Sequence, residues 1–520
     1  MPLIKFGRQF LRITKYKEED AVNRREFLKL GSAGVATILI GNRLSWLGGT
    51  NAFAAGQTLN FVITDAVKQM ATYNITNTGA TCYFWVYEVT IPGNPNTILP
   101  VESPGPTICA VKGDSITFNV TNNLDENHAF SIPDFNFSIG PIPPGGTMSG
   151  TLTVNKSGAF LYYDDLNAPV NRVMGLHGAL VVRPDVPVGN NKFTPYDQPT
   201  QHVQDLYNAF GDPDIFPGLA WEEGDPDLNI HYSTPPFRQY VWLTHQASPR
   251  LFAEVGNHPA GQDYPAADFL QKFLKSPFSP TRNNYNPEYF TINGQSGFFG
   301  HFSPTITPMN RVGEPVVVHI LNAGLWTHCM HLHANHFFVT SVNGVVSDNP
   351  IWVDVYSVRS MDRVDYTVPY MRPPDVPNVR GIGLPDTPLV SPITNQPVWP
   401  PIEELDVFIP AQGTKTNTGV LLEQRLSPLC YPMHDHCEPS QTAQGGNYNM
   451  GLISGMYVTG DRNTLMDFPM EHDMEMMCRN IRGISVTGPA PGTDPNATPE
   501  NQGGKKISPA IPLLLLDPEG

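Results

Sequence analysis

Short runs in which every second residue is apolar, or in which five or six apolar residues follow one another, recur along this chain. Ser115-Ile116-Thr117-Phe118-Asn119-Val120, Gly150-Thr151-Leu152-Thr153-Val154 and Gly178-Ala179-Leu180-Val181-Val182 have this character, which is that of strands with one or both faces buried. The same grammar returns at Phe290-Thr291-Ile292-Asn293-Gly294, Pro315-Val316-Val317-Val318-His319-Ile320 and Ile453-Ser454-Gly455-Met456-Tyr457-Val458. With 52 Pro and 45 Gly in 520 residues, the pattern predicts many short strands joined by turns rather than long helices. It predicts an all-β protein with two β-sandwich domains, at 57–186 and 238–462. Residues 187–237, rich in Pro, Asp and Tyr, read as a long linker with one short helix. The Pro-laden insert 371–412 reads as a surface loop or lid within the second domain. Residues 463–520 read as a Met-rich segment, with a docking helix or a soft-cation site at Met466 to Cys478, followed by a flexible C-terminal tail.

The N-terminus changes the picture. Asn23-Arg24-Arg25-Glu26-Phe27-Leu28-Lys29 precedes an uncharged stretch from Leu30 to Gly41, and Ala52-Phe53-Ala54 offers a small-x-small cleavage site. This is the form of a twin-arginine export signal over residues 1–54, and it predicts a periplasmic or extracellular protein. The apolar run is shorter than the ~20 residues that span a bilayer, and no later segment is suited to crossing one. The formal charge of −16 becomes more acidic once the signal, with nine Lys/Arg and four Asp/Glu, is removed. Nucleic acid is therefore excluded as an expected partner.

Histidine supplies the chemistry. Thr327-His328-Cys329-Met330-His331-Leu332-His333-Ala334-Asn335-His336 holds four imidazoles in nine residues, and Tyr431-Pro432-Met433-His434-Asp435-His436-Cys437 repeats the His-x-His spacing. Residues i and i+2 of a strand share a face. His331 with His333, and His434 with His436, are thus expected to present paired nitrogens to one metal, with His328 and His336 nearby. Imidazole sets suit copper, zinc, iron or nickel better than magnesium or calcium. His177, His245, His258, His301 and His319 lack ligand spacing and carry no expected role.

These motifs resemble multicopper oxidases. Phe290-Thr291-Ile292-Asn293-Gly294, Val312-Gly313-Glu314, Leu321-Asn322-Ala323-Gly324, the His-x-x-His-x-His cluster at 328–333 and the later His-x-His are similar to that family's last domain. Pro104-Gly105-Pro106-Thr107, Val111-Lys112-Gly113-Asp114 and Asn122-Asn123-Leu124-Asp125-Glu126 follow its first. The resemblance implies two cupredoxin-like Greek-key sandwiches and copper, from one to three ions, other transition metals remaining open. It implies a small-molecule or metal-ion electron donor, dioxygen or another acceptor, and, as in two-domain relatives, a homotrimer.

By the same resemblance His328 would bind a type 1 copper, and His331, His333, His434 and His436 a cluster between domains. The departures matter as much. Asp435 stands where the family has the thiolate of its His-Cys-His, and no carboxylate makes a blue site. Cys437, two residues on, is the remaining sulfur. The first domain has Ser131-Ile132-Pro133-Asp134 and Leu161-Tyr162-Tyr163-Asp164-Asp165 where the family has histidine pairs. Tyr163, Asp164 and Asp165 are therefore expected either as oxygen ligands facing the four imidazoles or as a solvated turn, and His128 is expected to be structural. Among six cysteines, Cys82–Cys109 and Cys430–Cys437 are the natural disulfide candidates. Two functions remain: a copper oxidoreductase with a reorganised, non-blue site, or a degenerate scaffold that holds metal or partners without turnover.

Overall fold

The computed structural model describes residues 37–39, 57–70, 81–92, 101–184, 191–208, 237–275, 285–300, 306–368, 414–415, 421–422, 429–442 and 451–460, leaving out 91, 102, 298–299, 312–315 and 334 within those spans. The expected export signal, apart from Thr37–Leu39, the 371–412 insert and the Met-rich segment and tail lie outside the described residues.

The chain is all-β, as two sandwiches built on one plan. In the first, a four-stranded sheet runs in the order Thr81–Thr90, Gln57–Gln69, Ser115–Asn122, Thr147–Thr153. Facing it is a second sheet ordered Thr107–Val111, His177–Arg183, Gly158–Tyr163, His128–Ile132, Phe137–Ile142, with Thr37–Leu39 added in parallel at its edge. Alternation along Ser115–Asn122 sends Ile116, Phe118 and Val120 inward. There the rings of Phe61, Phe118, Phe130 and Tyr162 meet at centroid distances from 4.8 to 6.0 Å, the separation at which aromatic edges and faces attract.

The second sandwich repeats the plan. A third sheet, Tyr289–Ile292, Arg238–Ala247, Val316–Asn322, Arg363–Val368, matches the first strand for strand and gains the hairpin Phe337–Val342 and Val345–Val353. A fourth sheet, Met309–Arg311, Ile453–Gly460, Leu429–Asp435, His328–Leu332, Val355–Val358, matches the second. The repeat extends to single bonds. Asn122 Nδ2 donates to the Glu126 and Ile142 carbonyls at 2.7 and 2.9 Å, and Asn322 Nδ2 to those of Trp326 and Val358 at 2.7 and 3.2 Å. Each amide pins the turn that leads into the following histidine strand.

The two sandwiches stack head to tail. The outer face of the second sheet (Cys109, Ala159, Leu161, Ala179, Val181) packs on the outer face of the third (Val241, Leu243, Leu321, Ala323). The other face of the third sheet, with Tyr240, Trp242, Val318 and Ile320, packs against Met330, Leu332, Tyr431 and Met433 of the fourth. The fourth sheet's outer face therefore points away from the first sandwich. Two helices in the 238–462 segment, Pro249–Gly256 and Ala266–Phe273, were not foreseen from the strand pattern. Ser248 caps the first by accepting from Leu251 N, and Phe252, Phe269 and Phe273 bury into the core of the first sandwich. No helix among the described residues is long and apolar enough to cross a membrane.

The natural disulfide candidates do not form: Cys82 and Cys437 are free thiols. The reason at Cys82 is geometric, since it points into the core of the first sandwich while Cys109 points out of it, into the contact between the two sandwiches.

Candidate metal centre

Burial alternates along both histidine strands of the fourth sheet. His328, Met330 and Leu332 are buried while Cys329 and His331 are half-buried, and Met433 and Asp435 are buried while His434 is half-buried and His436 exposed. Antiparallel pairing sets His331 opposite His434. The result is four imidazoles on the outer face: ring centroids are 4.9 Å apart for His331–His333, 5.6 Å for His331–His434, 4.8 Å for His331–His436, 4.8 Å for His333–His434 and 5.0 Å for His434–His436.

Two of these rings are braced through Nδ1. His331 Nδ1 donates to the Asp354 carbonyl at 3.0 Å and His434 Nδ1 to the Asp435 carbonyl at 3.2 Å, which turns Nε2 of each away from the backbone. A carbonyl on the second ring nitrogen is the usual support of a metal-binding imidazole. Burial, then the charges of neighbouring imidazoles, holds His333 below the ordinary histidine pKa. For His434 burial and the other three rings do the same against the Asp435 carbonyl, which acts the other way. Both therefore favour the neutral form that binds metal.

As placed, no three His, Cys, Asp or Glu groups among the described residues form a set that could hold a metal ion, and His333 Nε2 and His434 Nε2 share a hydrogen bond at 2.6 Å. Two nitrogens on one tetrahedral ion would stand about 3.3 Å apart, so admitting an ion requires these rings to part by less than about 1 Å. The donor set fits copper.

His328 does not join them. Its Nδ1 is 2.7 Å from Asp435 Oδ2, and Gln246 Nε2 lies 2.6 Å from its Nε2. Gln246 Oε1 accepts from Leu325 N at 2.8 Å, which fixes the amide so that it donates to His328 Nε2, and the imidazole proton then sits on Nδ1. Both nitrogens are used. Asp435 Oδ1 accepts from Cys329 N and Cys437 N at 2.7 and 2.9 Å. Asp435 is thus an internal acceptor facing the core rather than a ligand on the imidazole face. The Cys437 thiol is pushed up to about 12 by burial and then by Asp435, far from the thiolate that binds metal. His336 stacks on Trp352 at 5.4 Å instead of meeting the four rings.

The first sandwich carries the same device. His128 Nδ1 is 2.6 Å from Asp164 Oδ2, and Asp164 Oδ1 accepts from Leu166 N at 2.9 Å. Ser131 pairs with Tyr163 as His331 pairs with His434, so Ser131, Tyr163 and Asp165 hold the positions of His331, His434 and His436. Ser131 Oγ donates to Asp165 Oδ1 at 2.8 Å, and Tyr163 packs into the contact between the sandwiches. Head-to-tail stacking turns these residues toward the third sheet. The structure therefore separates Tyr163, Asp164 and Asp165 from the imidazole cluster, which lies on the far side of the second sandwich and not between the domains of one chain. Gln246 was missed, and nothing in its local sequence marks it; the His128–Asp164 pair was signalled by the equal spacing of Asn122 to His128 and Asn322 to His328.

Residues 92–186 match the multicopper oxidase family. The match falls on the first sandwich, and copper is the cofactor that family implies. No curated protein sequence matches the chain. Among solved structures, the blue copper oxidase from Nitrosomonas europaea is similar at 14% identity and a TM-score of 0.45, over 81% of this chain and 93% of that one. The multicopper oxidase mgLAC is similar at 15% identity and a TM-score of 0.42, over 78% and 87%. The McoA multicopper oxidase from the hyperthermophile Aquifex aeolicus is similar at 12% identity and a TM-score of 0.40, over 82% and 64%.

Proposed function

We propose that the chain is an exported copper oxidoreductase whose non-blue site is formed by His331, His333, His434 and His436. The observation that carries this reading is the contact of four partly exposed imidazoles on one sheet face, two of them braced through Nδ1 on backbone carbonyls. Copper held there would supply one-electron redox chemistry between a small-molecule or metal-ion donor and dioxygen or another acceptor. The chain's own contribution is to favour the neutral form of His333 and His434, to brace His331 and His434 through Nδ1, and to leave the face open to a donor. With His328 closed into the core by Asp435 and Gln246, the donor meets the imidazole face directly.

The test is metal content and electron paramagnetic resonance of protein exported through its own twin-arginine signal. Copper without an intense thiolate band is expected, and so is its loss in the His434→Ala/His436→Ala double variant. A double variant that keeps all its copper refutes the site. On the same reading the chain forms a homotrimer; a monomer retaining full copper would rule this out.

Asp435 in place of a thiolate favours a second reading, a scaffold that holds copper without turnover. Oxygen consumption by the copper-loaded protein with phenolic and metal-ion donors separates the two, since a scaffold consumes none.

A further inference from the structure

A cleft of about 360 Å³ opens where the first sandwich, the linker and the second sandwich meet. The first contributes Asp134 and Lys156 to Phe160, the linker Tyr196 to Gln198 and Thr200, and the second Ser341, Asn343, Gly344, Arg363 and Asp365. It borders the third sheet and is remote from the imidazole face of the fourth.

Its charges are unequally answered. Arg363 Nη2 donates to Asp134 Oδ1 at 2.6 Å. Asp197 takes Lys112 and the Ser157 hydroxyl, and Asp365 takes His319 Nδ1 at 2.7 Å and the Tyr196 hydroxyl at 3.0 Å. Lys156 has no oxygen partner among the described residues. Its ammonium rests 5.2 Å from the Phe135 ring and 5.5 Å from Phe160, whose ring also carries the Arg363 guanidinium at 5.1 Å. Two cations thus converge on one aromatic ring and only one has a counter-ion. The remaining walls offer neutral hydrogen-bonding groups: the side chains of Gln198, Ser341 and Asn343 and the backbone of Gly158 and Gly344.

We propose that this cleft binds a small hydroxylated organic acid, its carboxylate on Lys156 and its hydroxyls on the neutral polar wall. One unanswered cation selects one negative charge, and the volume, at the lower end of ligand-sized pockets, suits an acid of sugar size. Because both sandwiches and the linker line the cleft, the ligand would also tie them together and raise the unfolding temperature by mass action.

The experiment is calorimetric titration of the full exported protein with sodium gluconate, glucose and inorganic phosphate in turn. Gluconate is expected to bind at one site per chain, glucose to give no saturable heat at the same concentrations, and Lys156→Met to weaken gluconate at least about tenfold. Lys156→Arg, which keeps the cation, should stay within a few fold of the unaltered protein and so separates charge from packing. No saturable gluconate heat, or undiminished binding by Lys156→Met, overturns the proposal. Phosphate binding where gluconate does not overturns the organic-acid assignment.

Discussion

His328 Nδ1 stands 2.7 Å from Asp435 Oδ2 in the core of the second sandwich, and that single bond closes the locus at which the family resemblance would put a blue copper. The carboxylate also accepts two backbone N–H groups, from Cys329 and Cys437. Each lies beside a residue of the imidazole cluster or on its strand, so Asp435 fixes the backbone that carries His331, His434 and His436.

Asp435→Ala leaves one buried and two part-buried donors without their acceptor, and a loss of about 3 kcal/mol is expected. Asp435→Asn should cost nearly as much, because its amide must turn NH2 either toward His328 Nδ1–H or toward the backbone N–H pair. Urea unfolding midpoints check this; an Asn variant that unfolds at the unaltered midpoint would remove Asp435 from this role.

Putting the sulfur back should not restore a blue site. In Asp435→Cys the thiolate would meet one imidazole whose Nε2 is already bound by Gln246, with no second histidine among Glu438 to Tyr448, whereas a blue centre needs two imidazoles and a thiolate. The copper-loaded variant is expected to lack an intense visible band, and its presence would show that the locus still assembles.

How far the sequence led is clearest at this same strand. Period-two alternation opposes His331 to His328 in direction, since i and i+3 on a strand point to opposite faces, yet motif likeness grouped them as ligands. Alternation equally separates Asp435 from His434 and His436. What remained illegible was stacking order. Apolar residues on the outer faces of the second and third sheets look like core from sequence alone, and only their packing on each other reveals that Tyr163 packs on the cluster of Leu321 and Ala323 rather than on imidazoles. Likewise Cys82 and Cys109 sit on strands whose facing cannot be related without the sheet order.

Acid should loosen the contact between sandwiches. His177 from the first and His245 from the second meet with ring centroids 4.5 Å apart and planes tilted by 40°, both rings buried. Burial, assisted by the Arg172 charge and opposed by a bond to the Arg172 carbonyl, lowers His177 from 6.5 to about 4, and burial followed by His177 lowers His245 further. The unfolded chain takes the His177 proton near pH 6.5 and the folded chain only near 4. Its contribution is therefore complete above about pH 6.5 and fades as pH falls toward 4, by roughly 3 kcal/mol. Urea midpoints between pH 7.5 and about 4.5 should fall less steeply in His177→Gln; equal slopes would assign the acid sensitivity elsewhere.

Arg172 gives the sharpest test of the docking itself. It is buried in the first sandwich without a carboxylate partner among the described residues, and burial lowers it to about 10. Its guanidinium donates across the contact to the Ala323 carbonyl and to that of Gly324 at 3.1 Å. Gly324 O also accepts from Ser360 at 2.6 Å, so Arg172→Met would leave it satisfied and strand only Ala323 O, at a cost of about 1–3 kcal/mol. Because that cost falls on the contact and on neither core, the two sandwiches should unfold at different temperatures, splitting one calorimetric transition into two. A single transition at the unaltered temperature would mean that the apolar contact of Leu161, Val181, Leu243 and Leu321 suffices to hold the sandwiches together.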